Sequence, residues 1–176
     1  MPTRLTAFIP AHNPRPNAIA GTLDALRAQD YDPSNWELIL VDNGSDPPLD
    51  SSLLEAFPCE ARLVREERLG LTPARLAGFR AARGEIVVMV DDDNVLSPDY
   101  LSKAAALLDA ESKLGAVGGK SIPRYEQPPP EWFDGLEKMI ACRDLGTEEI
   151  RASWSNGDGE RAYPPCAPIG AGMAAR

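Results

Sequence analysis

Three aspartates stand side by side at Asp91, Asp92 and Asp93, followed by Asn94. Adjacent carboxylates repel one another unless water or a cation neutralises them. Such hard oxygen ligands select magnesium or manganese, and a metal held by few carboxylates takes phosphate oxygens as further ligands. On an extended segment alternate residues share a face, so Asp91 and Asp93 are the expected metal pair and Asp92 points elsewhere. A solvated Asp/Asn turn ahead of a helix is the plainer account, but the tetrad follows directly on the most apolar run of the chain, Ile86 to Val90. A second polar cluster, Asp42-Asn43-Gly44-Ser45-Asp46, follows the run 38–41. Asp42 sits where Rossmann proteins place a ribose-binding carboxylate, although an Asx turn accounts for the same residues. A third cluster, Pro10-Ala11-His12-Asn13, follows the run 5–9, and His12, the only histidine, is too isolated for a triad. Arg75, in the first turn of an expected helix over 73–83, could aim a cation at a phosphate, while Arg80 and Arg83 on that helix favour plain solvation.

Other motifs fail. Gly115-Ala116-Val117-Gly118-Gly119-Lys120-Ser121 approaches a phosphate-binding P-loop, yet three residues separate Gly115 from Gly119 where four are needed, and Ile122-Pro123 blocks the required helix. No G-x-G-x-x-G follows the first apolar run, which argues against a dinucleotide site. Trp132, Phe133, Trp154 and Tyr163 could stack on a sugar or simply pin a Pro-rich loop. Cys59, Cys142 and Cys166 form no C-x-x-C pair and read as buried reduced thiols. Asn43-Gly44-Ser45 fits a glycosylation pattern, but a turn explains it better.

These clusters must be positioned by a chain of 176 residues, enough for one domain. Lys plus Arg number 18 and Asp plus Glu 27, a net charge of −9, which is the wrong sign for holding nucleic acid or an acidic membrane surface. An anionic ligand therefore needs a local arginine or a metal. No apolar run approaches a spanning helix, and the start lacks a signal peptide's apolar segment. The expected compartment is the cytoplasm, including the cytoplasmic face of its membrane.

The runs 5–9, 38–41 and 86–90 are short, apolar and β-branched, which suits parallel strands buried on both faces. Residues 61–65 alternate and belong nearer an edge, and Ala116-Val117-Gly118 starts another strand. Ile19, Leu23 and Leu26 mark a helix over 17–29. Thr72-Pro73 starts a second helix, with Gly84 as a left-handed C-cap, and Ser97-Pro98-Asp99 starts a third ending near Ala110. With a helix in every gap the order is β-α-β-α-β-α-β-α-β, an α/β, Rossmann-like, mostly parallel open sheet with helices on both faces. From Pro123 the chain leaves the sheet through Pro128-Pro129-Pro130, a weak helix near 134–143 and a Gly-rich stretch, so 1–122 reads as core and 123–176 as an excursion. In such sheets ligands bind outside the carboxyl ends of the strands, so the three polar clusters converge on one crevice.

Taken in order, Phe8-Ile9-Pro10-Ala11-His12-Asn13, Glu37 through Val41-Asp42-Asn43-Gly44-Ser45-Asp46, Gly70 through Ala74-Arg75 to Gly78, and Gly84-Glu85-Ile86 through Asp91-Asp92-Asp93 to Pro98 resemble the family 2 glycosyltransferases of GT-A fold. The resemblance implies a nucleotide-diphospho-sugar transferase that moves a hexosyl group, with inversion, from a donor, usually UDP-linked, to an acceptor hydroxyl. It implies that Pro10, Ala11, His12, Asn13, Asp42, Arg75, Asp91 and Asp92 hold the nucleotide. Asp91 and Asp93 would bind Mn2+ or Mg2+, and Gly118, Gly119, Gly170, Ala171 and Gly172 would border donor sugar and acceptor. The catalytic base is expected beyond Arg176, with Asp158 and Glu160 as weaker internal candidates. A sugar-phosphate nucleotidyltransferase and a non-catalytic nucleotide-binding module are the alternatives.

Overall fold

A computed structural model describes residues 3–133, 136, 139, 142–153 and 166–176. Among these residues six strands form one sheet in the order β3-β2-β1-β4-β6-β5. Strands β1 (Leu5–Ala11), β2 (Trp36–Asp42), β3 (Glu60–Arg65) and β4 (Ile86–Met89) run parallel, as the apolar runs predict. Their register aligns Ala11 with Asp42 and Asp42 with Arg65, so β1, β2 and β3 end at one level. Strand β3 is the sheet edge, which its alternating residues foretell. Two-residue strands β5 (Ala116–Val117) and β6 (Ala174–Ala175) complete the other side, β6 running antiparallel to both its neighbours.

Among the described residues three α-helices cover the two faces: α1 (Pro16–Arg27), α2 (Leu71–Ala81) and α3 (Tyr100–Ala110). The period of two along a strand sorts the core. Leu5, Ala7, Ile9, Leu38 and Leu40 pack on the stripes Ile19, Leu23, Leu26 of α1 and Leu101, Ala105, Leu108 of α3. Phe8, Ile39 and Val41 turn the other way and meet Ala74 of α2. Close approach of α2 depends on Gly78, where a Cβ would come within 2.5 Å of Phe8 Cδ2.

Three local expectations change. The β2–β3 connection carries a short 3₁₀ turn, Ser51–Leu54, in place of an α-helix. Pro47, Pro48 and Pro58 bracket that interval, and proline removes the donors an α-helix needs. Helix α2 is capped by Gly70 and not by Thr72, and ends at Ala81 with an extended C-cap, Ala82. Gly84 is no left-handed cap; it is small because the chain crosses β1 there, and a Cβ would lie 2.6 Å from Leu5 C and Thr6 N.

Beneath that crossing lies a buried carboxylate. Glu37 accepts from Thr6 Oγ1 at 2.7 Å, from Arg83 N at 2.8 Å and from the Arg62 guanidinium. Burial alone would raise its pKa, but the Arg62 bond, the Thr6 hydroxyl and the Arg83 N–H outweigh that and hold it below the ordinary range. Each of Cys59, Cys142 and Cys166 is a half-buried free thiol, and burial pushes Cys59 up to about 12. The expected helix near 134–143 falls largely outside the described residues, as do Trp154, Asp158, Glu160 and Tyr163. No helix among the described residues is long and apolar enough to cross a membrane.

Candidate functional site

The polar clusters after β1 and β2 are bonded to each other. Asn13, at φ 46°, accepts from Asp46 N through Oδ1 at 2.9 Å, and its own N–H donates to Ser45 Oγ at 3.0 Å. His12 Nδ1 lies 2.7 Å from Asn43 O, to which it donates in the Nδ1–H tautomer. Asp42 is 1% exposed. Its Oδ1 takes the Ser45 N–H at 3.0 Å, and its Oδ2 takes the Leu49 N–H at 3.0 Å and the Arg65 guanidinium. Burial would raise this carboxyl, yet the Ser45 hydroxyl and N–H, the Leu49 N–H and Arg65 together hold it below the ordinary range. Asp42 thus anchors the loop 43–49 from inside. Arg65, at the end of the edge strand, completes that anchor.

Asn43, 3% exposed, reaches the opposite way. Its Nδ2 donates to Glu66 O at 3.1 Å and Arg68 O at 2.7 Å, and its Oδ1 accepts the Gly70 N–H at 2.8 Å. The loop 66–70 is thereby fastened to the end of β2, and Gly70, at φ 127°, turns the chain into α2. Between these segments opens a cleft of about 310 Å³. Its lining is Pro10, Ala11 and His12 at the end of β1, Asn43 after β2, Asp92 after β4, and a wall of Leu69-Gly70-Leu71 and Ala74 at the start of α2. Two exposed leucines flanking a glycine in an otherwise charged loop were the available sequence signal for that wall.

Beyond β4 the aspartates diverge. Asp92 turns into the cleft, and burial, then the neighbouring carboxylates Asp93 and Asp91, raises its pKa. Asp93 is exposed, with Oδ1 accepting from Asn94 Nδ2 at 3.3 Å. Asp91 Oδ1 lies 3.6 Å from Arg75 Nη2. Among the described residues no three His, Cys, Asp or Glu side chains form a ready metal cage. This donor set fits the open kind of magnesium or manganese site, in which one or two carboxylates leave positions for ligand phosphates.

Arg75 joins the aspartates to the returning chain. Its Nε is buried with no hydrogen-bond partner among the described residues. Gly170 lies against its guanidinium, where a Cβ would stand 2.4 Å from Nη2. The Gly172 N–H donates to Met89 O at 2.9 Å, the Met89 N–H to Met173 O at 2.9 Å, and the Tyr100 hydroxyl to Gly172 O. Gly118 packs on Pro168 and Gly119 on Tyr100. The half-buried Ala171 lies between Gly170 and Gly172 on the same segment. The structure therefore brings Gly170 against Arg75 and Gly172 against the end of β4, with Gly119 sharing Tyr100 with Gly172 and Gly118 packed on Pro168, while Pro10, Ala11, His12 and Asp92 border the cleft. Asn13 and Asp42 stand behind it as supports of its loops.

A family model described as Glycosyl transferase family 2 matches residues 6–159. A glucosyl-dolichyl phosphate glucuronosyltransferase of Haloferax volcanii is 24% identical over 149 residues, 81% of this chain and 47% of the relative. An N-acetylglucosaminyltransferase of Sinorhizobium fredii is 24% identical over 154 residues, 85% of this chain and 37% of the relative. Among solved structures, the mannosyltransferase PcManGT of Pyrobaculum calidifontis, in complex with GDP-Man and Mn2+, is 30% identical. It matches with a TM-score of 0.58 over 70% of this chain and 38% of its own. TarS of S. aureus, in complex with UDP, shares the fold at a TM-score of 0.60 and 23% identity, over 73% of this chain and 38% of its own. The chain spans less than half the length of each of these proteins.

Proposed function

The chain belongs to glycosyl transferase family 2, and on that premise we propose that it moves a hexosyl group, with inversion, from a metal-bound nucleoside diphosphate sugar to an acceptor hydroxyl. The observation that carries this reading is the convergence of three strand ends on one cleft that Asp92 lines, with the neighbouring Asp91 paired to Arg75. The nucleoside lies in the cleft, its ribose toward Asp92 and its base between the β1 end and Leu69-Gly70-Leu71. The diphosphate extends toward Asp91 and Asp93, which would hold Mn2+ or Mg2+; a cation there offsets the charge that develops on the leaving diphosphate. Arg75 steadies Asp91 and supports the 170–172 segment, which borders the sugar. No residue is assigned as the acceptor's base.

UDP is the expected donor nucleotide. The GDP-Man and Mn2+ complex of PcManGT, the solved neighbour at 30% identity, favours GDP as the second reading. Membership of the family sets aside the nucleotidyltransferase alternative. Thermal shift with UDP and GDP, each in Mn2+ and in chelator, tests the proposal. A ligand at about a hundred times its Kd stabilises by about 2.7 kcal/mol, or about 5–11 °C for a domain this size. One nucleotide should do so only with the metal. Equal stabilisation in chelator, or none by either nucleotide, would refute it.

A further inference from the structure

Asn94 closes the aspartate run, carries no charge, and is bonded to both of the expected metal ligands. Its backbone N–H donates to Asp91 O at 3.1 Å, which closes the turn 91–94, and its side-chain Nδ2 donates to Asp93 Oδ1 at 3.3 Å. The amide thus takes one oxygen of the exposed Asp93 and leaves Oδ2 for a cation. At the other end of the same amide, Asn94 Oδ1 is buried, and no donor among the described residues reaches it. A buried acceptor without a donor destabilises a folded chain, so this orphaned oxygen points to a ligand that brings the missing hydrogen. Magnesium held by one or two carboxylates keeps several waters, and the charge of the cation makes each of them a stronger donor. A water on the cation is therefore a partner that fits Asn94 Oδ1.

Resting on the metal and nucleotide reading above, we propose that Asn94 is a positioning residue of the cation site: its Nδ2 orients Asp93, and its Oδ1 accepts from a water on the cation. Asn94 is not itself a metal ligand. Its neutral amide offers a donor and an acceptor at once, whereas an aspartate at the same place would set a like charge against Asp93 and supply no donor. Groups that orient a ligating side chain in this way typically contribute about tenfold to a hundredfold in metal affinity.

Electron paramagnetic resonance of free Mn2+ during titration, with UDP or GDP saturating, gives the Mn2+ affinity of the parent chain, Asn94→Leu and Asn94→Asp. Asn94→Leu should weaken Mn2+ by about tenfold to a hundredfold. Its ligand-free melting temperature should stay at or above the parent's, because an unsatisfied buried polar group gives way to an apolar one of similar size. Asn94→Asp should also weaken Mn2+, although its added charge alone would tighten it. At saturating Mn2+, exchange of water off the cation, read by water-oxygen NMR relaxation, should be faster in Asn94→Leu than in the parent. Unchanged or tighter Mn2+ in either variant, an unchanged exchange rate, or a lower ligand-free melting temperature in Asn94→Leu would overturn the inference. Failure of the parent to bind Mn2+ with either nucleotide would instead overturn the proposed function on which it rests.

Discussion

Replacing Asp42 by Asn removes one charge and one acceptor from a fully buried junction, and the structure bounds the cost. Whichever way the new amide turns, its NH₂ must face a backbone N–H. With its oxygen on the Oδ1 side it strands the Leu49 N–H and meets Arg65; with its oxygen on the Oδ2 side it strands the Ser45 N–H. A buried donor left unsatisfied costs about 1–3 kcal/mol. Loss of the charge partner of Arg65, itself about one-third exposed, adds only about 0.5–1 kcal/mol after solvent screening. The expected destabilisation is about 1.5–4 kcal/mol, which lowers the melting temperature by about 3–16 °C. Urea unfolding measures it directly, with Asp50→Asn as the control. Asp50 is an exposed cap of the 3₁₀ turn, and asparagine caps as well as aspartate. A loss below about 0.5 kcal/mol for Asp42→Asn, the range of an ordinary surface change, would refute the anchor assigned to Asp42.

Arg62→Ala removes the nearer charge partner of the buried Glu37 carboxylate, leaving it the half-exposed Arg83 guanidinium at 3.8 Å, and should cost about 3 kcal/mol, the low end for a broken buried pair, with Arg62→Ala/Glu37→Gln recovering part of it in chemical unfolding. Because Glu37 is held below its unfolded pKa, its stabilisation is full above that unfolded value, about 4.3. It is lost as pH falls through the lower folded value; Glu37→Gln should therefore flatten the acid limb of a stability–pH curve, and an unchanged limb would contradict the assignment. Gly78→Ala gains about 1 kcal/mol of helix propensity but meets Phe8 Cδ2 at 2.5 Å. The outcome expected in a urea melt is a net loss, since overpacking costs about 1–3 kcal/mol.

The parts of the fold legible in the sequence are those fixed by local pattern. Continuous apolar runs marked β1, β2 and β4, and stripes at spacings of three and four marked α1 and α3; α2 was marked only by Thr72-Pro73 near its start, and it buries the small residues Ala74 and Gly78. The antiparallel β6 was not legible: its two alanines carry no periodicity and are placed by bonds between Met89 and the 172–173 segment. Gly84 misled because smallness and backbone freedom call for the same residue, and only the crossing over β1 separates the two reasons. In the candidate site the aspartate run and the strand-end clusters were visible as motifs. Asp42 read there as a ribose ligand or an Asx turn, and Asn43 only as part of that turn. Only tertiary bonds separate their parts: one carboxylate bonded by Ser45, Leu49 and Arg65, and one amide bonded to a loop more than twenty residues away.

The central claim is that nucleotide and cation meet at the end of β4. With a net charge of −9 and three adjacent carboxylates, a bare diphosphate is repelled, so the two ligands must bind with positive coupling. Isothermal titration of UDP and of GDP into the parent chain and into Asp93→Asn, each in Mn2+ and in chelator, measures that coupling. The account predicts binding of one nucleotide by the parent in Mn2+ and its loss in chelator. In Asp93→Asn the metal-dependent part should vanish while the unfolding midpoint stays at the parent's value. Equal affinity with and without the metal, or an Asp93→Asn variant that binds the metal–nucleotide pair like the parent, would contradict it.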